Sequence, residues 1–69
     1  MVMRWRDGSE IRVTIDNGAV VLSANKEGLL SLADQFADMA GEAPGEHVHY
    51  DENNSLEEGS AEVIVELIP

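Results

Sequence analysis

Polar and apolar residues alternate strictly over residues 10–15, which is the pattern of a half-buried β-strand with its apolar side chains at positions 11, 13 and 15. Asn17-Gly18 follows almost at once, and both residues tolerate the positive φ angles of a type I′ turn. The pattern therefore predicts a β-hairpin whose second strand runs over residues 19–23.

A second, shorter alternation lies upstream of this hairpin. In residues 2–6, Met3 and Trp5 share one side, and Asp7-Gly8 follows as a turn signal. We therefore expect an additional strand here, with Trp5 facing the core and the flanking arginines in solvent.

The hydrophobic spacing becomes helical at Asn25, which is a favourable N-cap residue. Gly41 is suited to end the helix, and Pro44-Gly45 prevents its continuation. The predicted helix has an apolar stripe and a polar stripe. The apolar one comprises Leu29, Leu32, Ala33, Phe36 and Ala40; the polar one comprises Ser31, Asp34, Gln35, Asp38 and Glu42.

Two more strands are predicted after the helix. Residues 46–51 place Val48 and Tyr50 opposite His47, His49 and Asp51, and residues 61–68 alternate in the same way. The loop between them is polar except for Leu56, which we expect to pack against the core.

These elements predict an α+β fold in a single domain over residues 1–69. The expected order is β(β)β-α-β-β, with one amphipathic helix packed on a mainly antiparallel sheet of four to five strands in a two-layer arrangement.

The composition excludes several classes of function but does not identify one. The chain has 69 residues, no cysteine and a net charge of −10. We expect no nucleic-acid binding, because phosphate recognition needs clustered Lys and Arg. No apolar run approaches the length of a membrane span, so we expect no membrane association. A thiol-free chain of this size fits a reducing cytoplasm.

The negative charge is concentrated after residue 15, where Lys26 is the only Lys or Arg among twelve acids. We expect this surface to bind a basic protein, since complementary charge accelerates association. The predicted partner-binding residues are Asp34 and Asp38 on the helix and Asp51, Glu52, Glu57 and Glu58 in the loop. A solvated acidic face, as in proteins adapted to salt, is the alternative.

Two other functions remain open from the sequence. His47, His49 and Asp51 share one strand face and are ligand types for zinc or iron, which suggests a small metal-binding module or enzyme. Self-association through the sheet is the second alternative, because Ile64 lies on the outer face and the core is thin. Serine and histidine form no recognisable nucleophile motif, so we predict no catalytic residues. We also predict no metal site and no cofactor.

Two segments resemble the bacterial polymorphic-toxin immunity family numbered thirty-two. They are the helix start Asn25-Lys26-Glu27-Gly28-Leu29-Leu30-Ser31-Leu32-Ala33, and His47-x-His49-x-Asp51 leading into Asn54-Ser55-Leu56-Glu57-Glu58-Gly59-Ser60-x-Glu62-Val63-Ile64-Val65-Glu66. The resemblance implies a small cytoplasmic α+β protein that neutralises a cognate toxin, often a nuclease, encoded beside it. It implies no individual contact residue. Together with the charge, it predicts a non-enzymatic inhibitor of a basic toxin.

Overall fold

A computed structural model describes residues 2–69 and shows an α+β fold, which confirms the predicted class. Within these residues, four strands form two antiparallel two-stranded sheets beside one helix. The elements are β1 (Ile11–Asp16), β2 (Ala19–Ala24), α1 (Lys26–Ala40), β3 (His47–Tyr50) and β4 (Val63–Glu66).

The β1–β2 hairpin is confirmed. Asp16 is paired with Ala19, and the turn residues Asn17 and Gly18 have φ angles of 52° and 81°. Two consecutive positive φ angles are the requirement of a type I′ turn. Ile11 and Val13 are buried, but Ile15 is exposed because the hairpin tip extends beyond the core.

The second sheet pairs β3 with β4, with Val48 opposite Val65. Backbone hydrogen bonds from Gly45 N to Leu67 O (2.8 Å) and from Leu67 N to Glu46 O (2.9 Å) continue the pairing beyond the strands. Val48 and Tyr50 are buried, as the alternation predicted.

The prediction of one sheet of four to five strands is not confirmed. The free side of β1 is bonded to loop residues: Glu57 N donates to Ile11 O (2.8 Å) and Ala61 N donates to Val13 O (2.9 Å). Val13 N, however, donates to the Ser60 side chain rather than to a main-chain carbonyl. A side-chain acceptor interrupts the backbone ladder at this point, so the loop is bonded to β1 while the two sheets remain separate.

Residues 2–6 do not form the predicted strand. Their backbone is bonded to side chains of α1: Arg6 N donates to Ser31 Oγ (2.9 Å), and Gln35 Nε2 donates to Arg4 O (2.9 Å). This N-terminal segment therefore lies along the helix instead of beside a strand. Met3 and Trp5 still pack against the core, as the alternation indicated.

The helix begins and ends where the sequence predicted, with Asn25 as N-cap and Gly41 as C-cap. The buried face of α1 differs from the predicted apolar stripe. The buried residues are Gly28, Ser31, Leu32, Gln35 and Met39, whereas Leu29 and Phe36 of the predicted apolar stripe are 53% and 43% exposed. The shift has a physical cause, because the N-terminal segment supplies backbone partners that allow Ser31 and Gln35 to be buried.

Seven residues form the buried hydrophobic core: Ile11, Val13, Leu32, Met39, Val48, Tyr50 and Leu56. Leu56 is buried, which confirms that it fixes the loop to the core. Tyr50 is at the centre of an aromatic cluster, with ring centroids 5.9 Å from Trp5 and 6.4 Å from Phe36. No helix within residues 2–69 has the length and apolarity needed to cross a membrane.

Candidate functional site

The loop between β3 and β4, residues 51–62, is called the acidic loop below, and Asp51 organises its first turn. The Asp51 carbonyl accepts from Ser55 N (3.0 Å) and Leu56 N (2.9 Å), and its carboxylate accepts from Asn53 N (2.9 Å). Asn54 closes the turn by donating to His49 O (2.8 Å). The loop thus has a defined conformation although it lacks regular secondary structure.

A second turn of the acidic loop is fixed by Glu52. Its carboxylate accepts from Gly59 N (2.8 Å), and Gly59 has a φ of 86°, which favours glycine. Glu57 is held by its backbone hydrogen bond to Ile11 and is half-buried, whereas Glu58 is exposed. Glu52 therefore supports the fold of the loop, while Glu58 presents its charge to solvent.

The acids of the loop have no cationic neighbour in sequence, because residues 51–62 contain no Lys or Arg. Within residues 2–69, no salt bridge joins a Lys or Arg side chain to Asp51, Glu52, Glu57 or Glu58. Opposite charge within a few ångströms would cancel much of their field, and no such ion pair forms in this part of residues 2–69, although Arg12 and Glu57 line the same surface cleft. The loop is consequently a region of negative charge that forms no ion pair with Lys or Arg among the described residues.

The acidic residues of the helix, unlike those of the loop, lie close to arginines of the N-terminal segment. Asp34 Oδ2 accepts from both Arg6 Nε (3.2 Å) and Arg6 Nη2 (3.0 Å). Asp38 is exposed and lines a surface cleft together with Arg4 and Glu42. Arginines of the N-terminal segment thus accompany the helix acids, so the two predicted patches are not electrostatically equivalent.

The histidines of β3 do not converge with Asp51. The rings of His47 and His49 are 5.2 Å apart, and His49 Nδ1 lies 3.2 Å from Glu62 Oε2. The Asp51 carboxylate is engaged by Asn53 N instead. Among residues 2–69, no group of three or more His, Asp or Glu side chains is placed to hold a metal ion. The structure therefore gives no support to the metal-module alternative.

Sequence reasoning missed a small, partly open apolar cavity between the helix and the sheets. Leu22 and Phe36, each 43% exposed, line it together with the half-buried Val63 and Val65. The sequence pattern of β2 does indicate exposed apolar side chains, because residues 19–22 are apolar at every position instead of alternating. An uninterrupted apolar run on a strand with one exposed face leaves apolar side chains in water.

The family model of immunity protein 32 matches residues 19–68 of the chain. The chain belongs to the immunity protein 32 family. The match includes the helix and the acidic loop and confirms the resemblance found in these two segments. No curated protein and no solved structure matches the chain significantly.

Membership of the immunity protein 32 family implies a toxin as partner and neutralisation of that toxin as the role of the protein. The matched region begins at β2, so the N-terminal segment and β1 lie outside it. The acidic loop and both of its flanking strands lie inside it, which makes the loop a candidate site within the shared part of the family.

Proposed function

We propose that this immunity protein neutralises its toxin by covering a basic surface of the toxin with the acidic loop. The observation that carries the proposal is that Asp51, Glu52, Glu57 and Glu58 lie on a loop of defined conformation and form no ion pair with Lys or Arg within residues 2–69. The immunity protein itself performs no chemistry in this mechanism.

The proposed class of toxin is a nuclease. A nuclease binds the phosphates of its substrate through Lys and Arg, so its substrate cleft is basic. An acidic cover competes with the nucleic acid for the same cationic side chains. A chain of net charge −10 is attracted to such a surface over a distance of about one Debye length, roughly 8 Å at physiological salt.

The acidic residues have different roles in this proposal. Glu57 and Glu58 supply negative charge that attracts the toxin during association. Asp51 and Glu52 supply charge as well and also stabilise the conformation of the loop through hydrogen bonds. Asp34 and Asp38 extend the negative surface onto the helix, where Arg6 pairs with Asp34. We further propose that the complex forms in the bacterial cytoplasm, consistent with a chain free of cysteine.

The test is the association rate of the immunity protein with the toxin domain encoded beside it, measured by stopped-flow fluorescence at several salt concentrations. Glu58→Lys should slow association about tenfold at low salt and change the dissociation rate much less. Asp7→Lys is the matched control, because Asp7 is exposed, lies in another part of the chain and undergoes the same charge change.

A wild-type association rate that does not depend on salt would contradict the proposal, as would equal effects of Glu58→Lys and Asp7→Lys. Nuclease activity supplies the functional measurement. Wild-type immunity protein should block cleavage of nucleic acid by the toxin, and Glu58→Lys should require a higher concentration for the same inhibition.

A further inference from the structure

The exposed Glu58 lies at the tip of a β-turn. Residues 57–60 form this turn, which is closed by a hydrogen bond from Ser60 N to Glu57 O (3.1 Å). Gly59 is its third residue and has a φ of 86°, as a type II turn requires. Glu58 is the second residue, so its side chain leaves the loop at the point farthest from the two ends of the turn.

Both ends of this turn are hydrogen-bonded to β1. Glu57 N donates to Ile11 O (2.8 Å) at one end, and Ala61 N donates to Val13 O (2.9 Å) just beyond the other. Between these two bonds, Ser60 Oγ accepts from Val13 N (3.1 Å). The turn is therefore fixed to the strand on both sides of Glu58.

The Ser60 hydroxyl is the part of this attachment that belongs to a side chain. Val13 is 1% exposed, and both of its backbone groups point away from β2 towards the residues that follow the turn. A backbone amide in such a place needs an acceptor from the protein. Ser60 is half-buried and supplies that acceptor, which ties the end of the turn to the core strand.

We infer that Ser60 is a positioning residue for toxin binding, because its hydroxyl holds the turn of Glu58 on β1 in one conformation. The inference rests on the proposed function, in which the acidic loop contacts the toxin. A loop that is ordered before binding loses less conformational entropy when the complex forms. Ser60 thus contributes to binding through the carboxylate that it positions, although it has no charge of its own.

The inference also gives β1 a part in the site. The region matched by the immunity protein 32 family begins at residue 19, so β1 lies outside it while the acidic loop lies inside. The hydrogen bonds of Ile11 and Val13 show that the loop nevertheless depends on this strand for its position.

A purely structural role of Ser60 differs from a positioning role in one measurable way. If the hydroxyl acts through Glu58, removing the charge of Glu58 should remove most of the effect of Ser60 on toxin binding. If the hydroxyl only stabilises the fold, the two substitutions should act independently. A double-mutant cycle separates these cases, because it measures the coupling between two positions.

The experiment is this cycle with Ser60→Ala and Glu58→Gln, using the full chain and the toxin domain encoded beside it. Toxin binding is measured by stopped-flow fluorescence under conditions in which circular dichroism shows each variant to be folded. Ser60→Ala should raise the dissociation constant about fivefold, the effect of one ordinary hydrogen bond. In the Glu58→Gln background it should raise it less than about twofold. Additive effects, or unchanged binding by Ser60→Ala, would overturn the inference.

Two further variants test the role of the hydroxyl. Ser60→Thr retains it and should restore the wild-type dissociation constant. Ser9→Ala is the matched control, because Ser9 Oγ is buried without a hydrogen-bond partner within residues 2–69, so the same substitution removes no hydrogen bond. Weakening of toxin binding by Ser9→Ala to the same extent as by Ser60→Ala would overturn the inference, as would failure of Ser60→Thr to restore binding.

Amide hydrogen exchange of the free wild-type protein needs no variant. The amides of Val13, Glu57 and Ala61 should be protected, because each donates a hydrogen bond that holds the turn on β1. Ser60→Ala should accelerate exchange at Glu57 and Ala61. Exchange of these two amides in the wild type as fast as in an unstructured chain would overturn the inference, even if Ser60→Ala failed to fold.

The same measurements separate failure of the inference from failure of the proposed function. If Glu58→Gln and added salt both weaken toxin binding while Ser60→Ala does not, the proposed function stands and only the inference is overturned. If neither Glu58→Gln nor salt changes toxin binding, the acidic loop is not the contact, and the proposed function and the inference are both overturned.

Discussion

The Tyr50 hydroxyl donates a 2.8 Å hydrogen bond to Gln35 Oε1 in the interior of the protein, where the two side chains are 2% and 1% exposed. Gln35 Nε2 donates in turn to Arg4 O (2.9 Å). One buried glutamine thus connects β3, α1 and the N-terminal segment. The Tyr50–Gln35 hydrogen bond is buried and the bond to Arg4 O is part-buried, so the contribution of this network to stability depends on all partners being present.

Tyr50→Phe should lower the free energy of unfolding by about 1–3 kcal/mol, because it leaves Gln35 Oε1 buried without a donor. Urea denaturation measures the change. The double variant Tyr50→Phe with Gln35→Met removes both members of the pair and should lose less than the sum of the single changes. Strict additivity would show that the hydrogen bond contributes nothing to stability.

Alkaline pH should destabilise the protein through Tyr50. Burial raises the pKa of the Tyr50 hydroxyl above its ordinary value, since the charged phenolate is poorly solvated. The folded state therefore holds this proton more tightly than the unfolded chain does. The stability that results is fully present below the unfolded pKa of about 10 and is lost as pH rises through the folded pKa.

The chain contains one tyrosine, so the ultraviolet absorbance of tyrosinate reports Tyr50 alone. The folded protein should titrate at higher pH than the protein in concentrated urea. Thermal unfolding of Tyr50→Phe should be less sensitive to pH above about 10 than that of the wild type. Identical titration curves for folded and unfolded protein would disprove the effect of burial.

Gly28→Ala should destabilise the protein although alanine is the better helix former by about 1 kcal/mol. A Cβ atom at Gly28 would lie 2.6 Å from Glu10 O and 2.9 Å from Ile11 Cγ1, where the helix crosses β1. We expect a loss of about 1–3 kcal/mol from the overpacking. Thermal or urea unfolding measures the change.

Gly41→Ala is the matched control for this position. Its nearest atom would be Asp38 O at 3.5 Å, which is ordinary contact, and its φ of −90° is accessible to alanine. The stability should change by less than about 0.5 kcal/mol, as at surface positions without special geometry. Comparable losses at both glycines would contradict close packing at Gly28.

Asn25→Ala should cost more than the loss of an ordinary N-cap, which is about 1 kcal/mol. Asn25 Oδ1 accepts from Gly28 N (2.8 Å) and also from Glu10 N (3.0 Å), and Nδ2 donates to Gly8 O (2.7 Å). The side chain therefore joins the helix start to the segment before β1. We expect a loss of about 2 kcal/mol in urea denaturation.

Asn25→Asp separates the two functions of this residue. Aspartate retains both accepted hydrogen bonds but loses the donation to Gly8 O, so its stability should lie between those of wild type and Asn25→Ala. If Asn25→Asp were as stable as the wild type, the bond to Gly8 would contribute nothing.

The sequence predicted the features that depend on neighbouring residues. The turn at Asn17-Gly18 follows from positive φ angles that these residues tolerate, and the helix limits follow from the capping properties of Asn25 and Gly41. The burial of Leu56 followed from its being the only apolar residue in a polar loop. In each case, a short stretch of chain contains the physical cause.

The buried face of the helix was not predictable in the same way. Ser31 and Gln35 are polar, and periodicity assigns them to solvent. They are buried because backbone groups of Arg4 and Arg6, distant in sequence, complete their hydrogen bonds. The same difference leaves Leu29 and Phe36 exposed, so the apolar run of β2 could be read from the sequence but the exposed apolar residues of the helix could not.

The sequence by itself determined the α+β class, the hairpin, the helix limits and the concentration of negative charge after residue 15. Only the tertiary structure decided that Arg6 pairs with Asp34 while the acidic loop has no paired arginine or lysine within residues 2–69. It also decided that β2 is a free edge. The reason is that charge and periodicity are properties of the chain, whereas charge compensation and exposure depend on which distant segments meet.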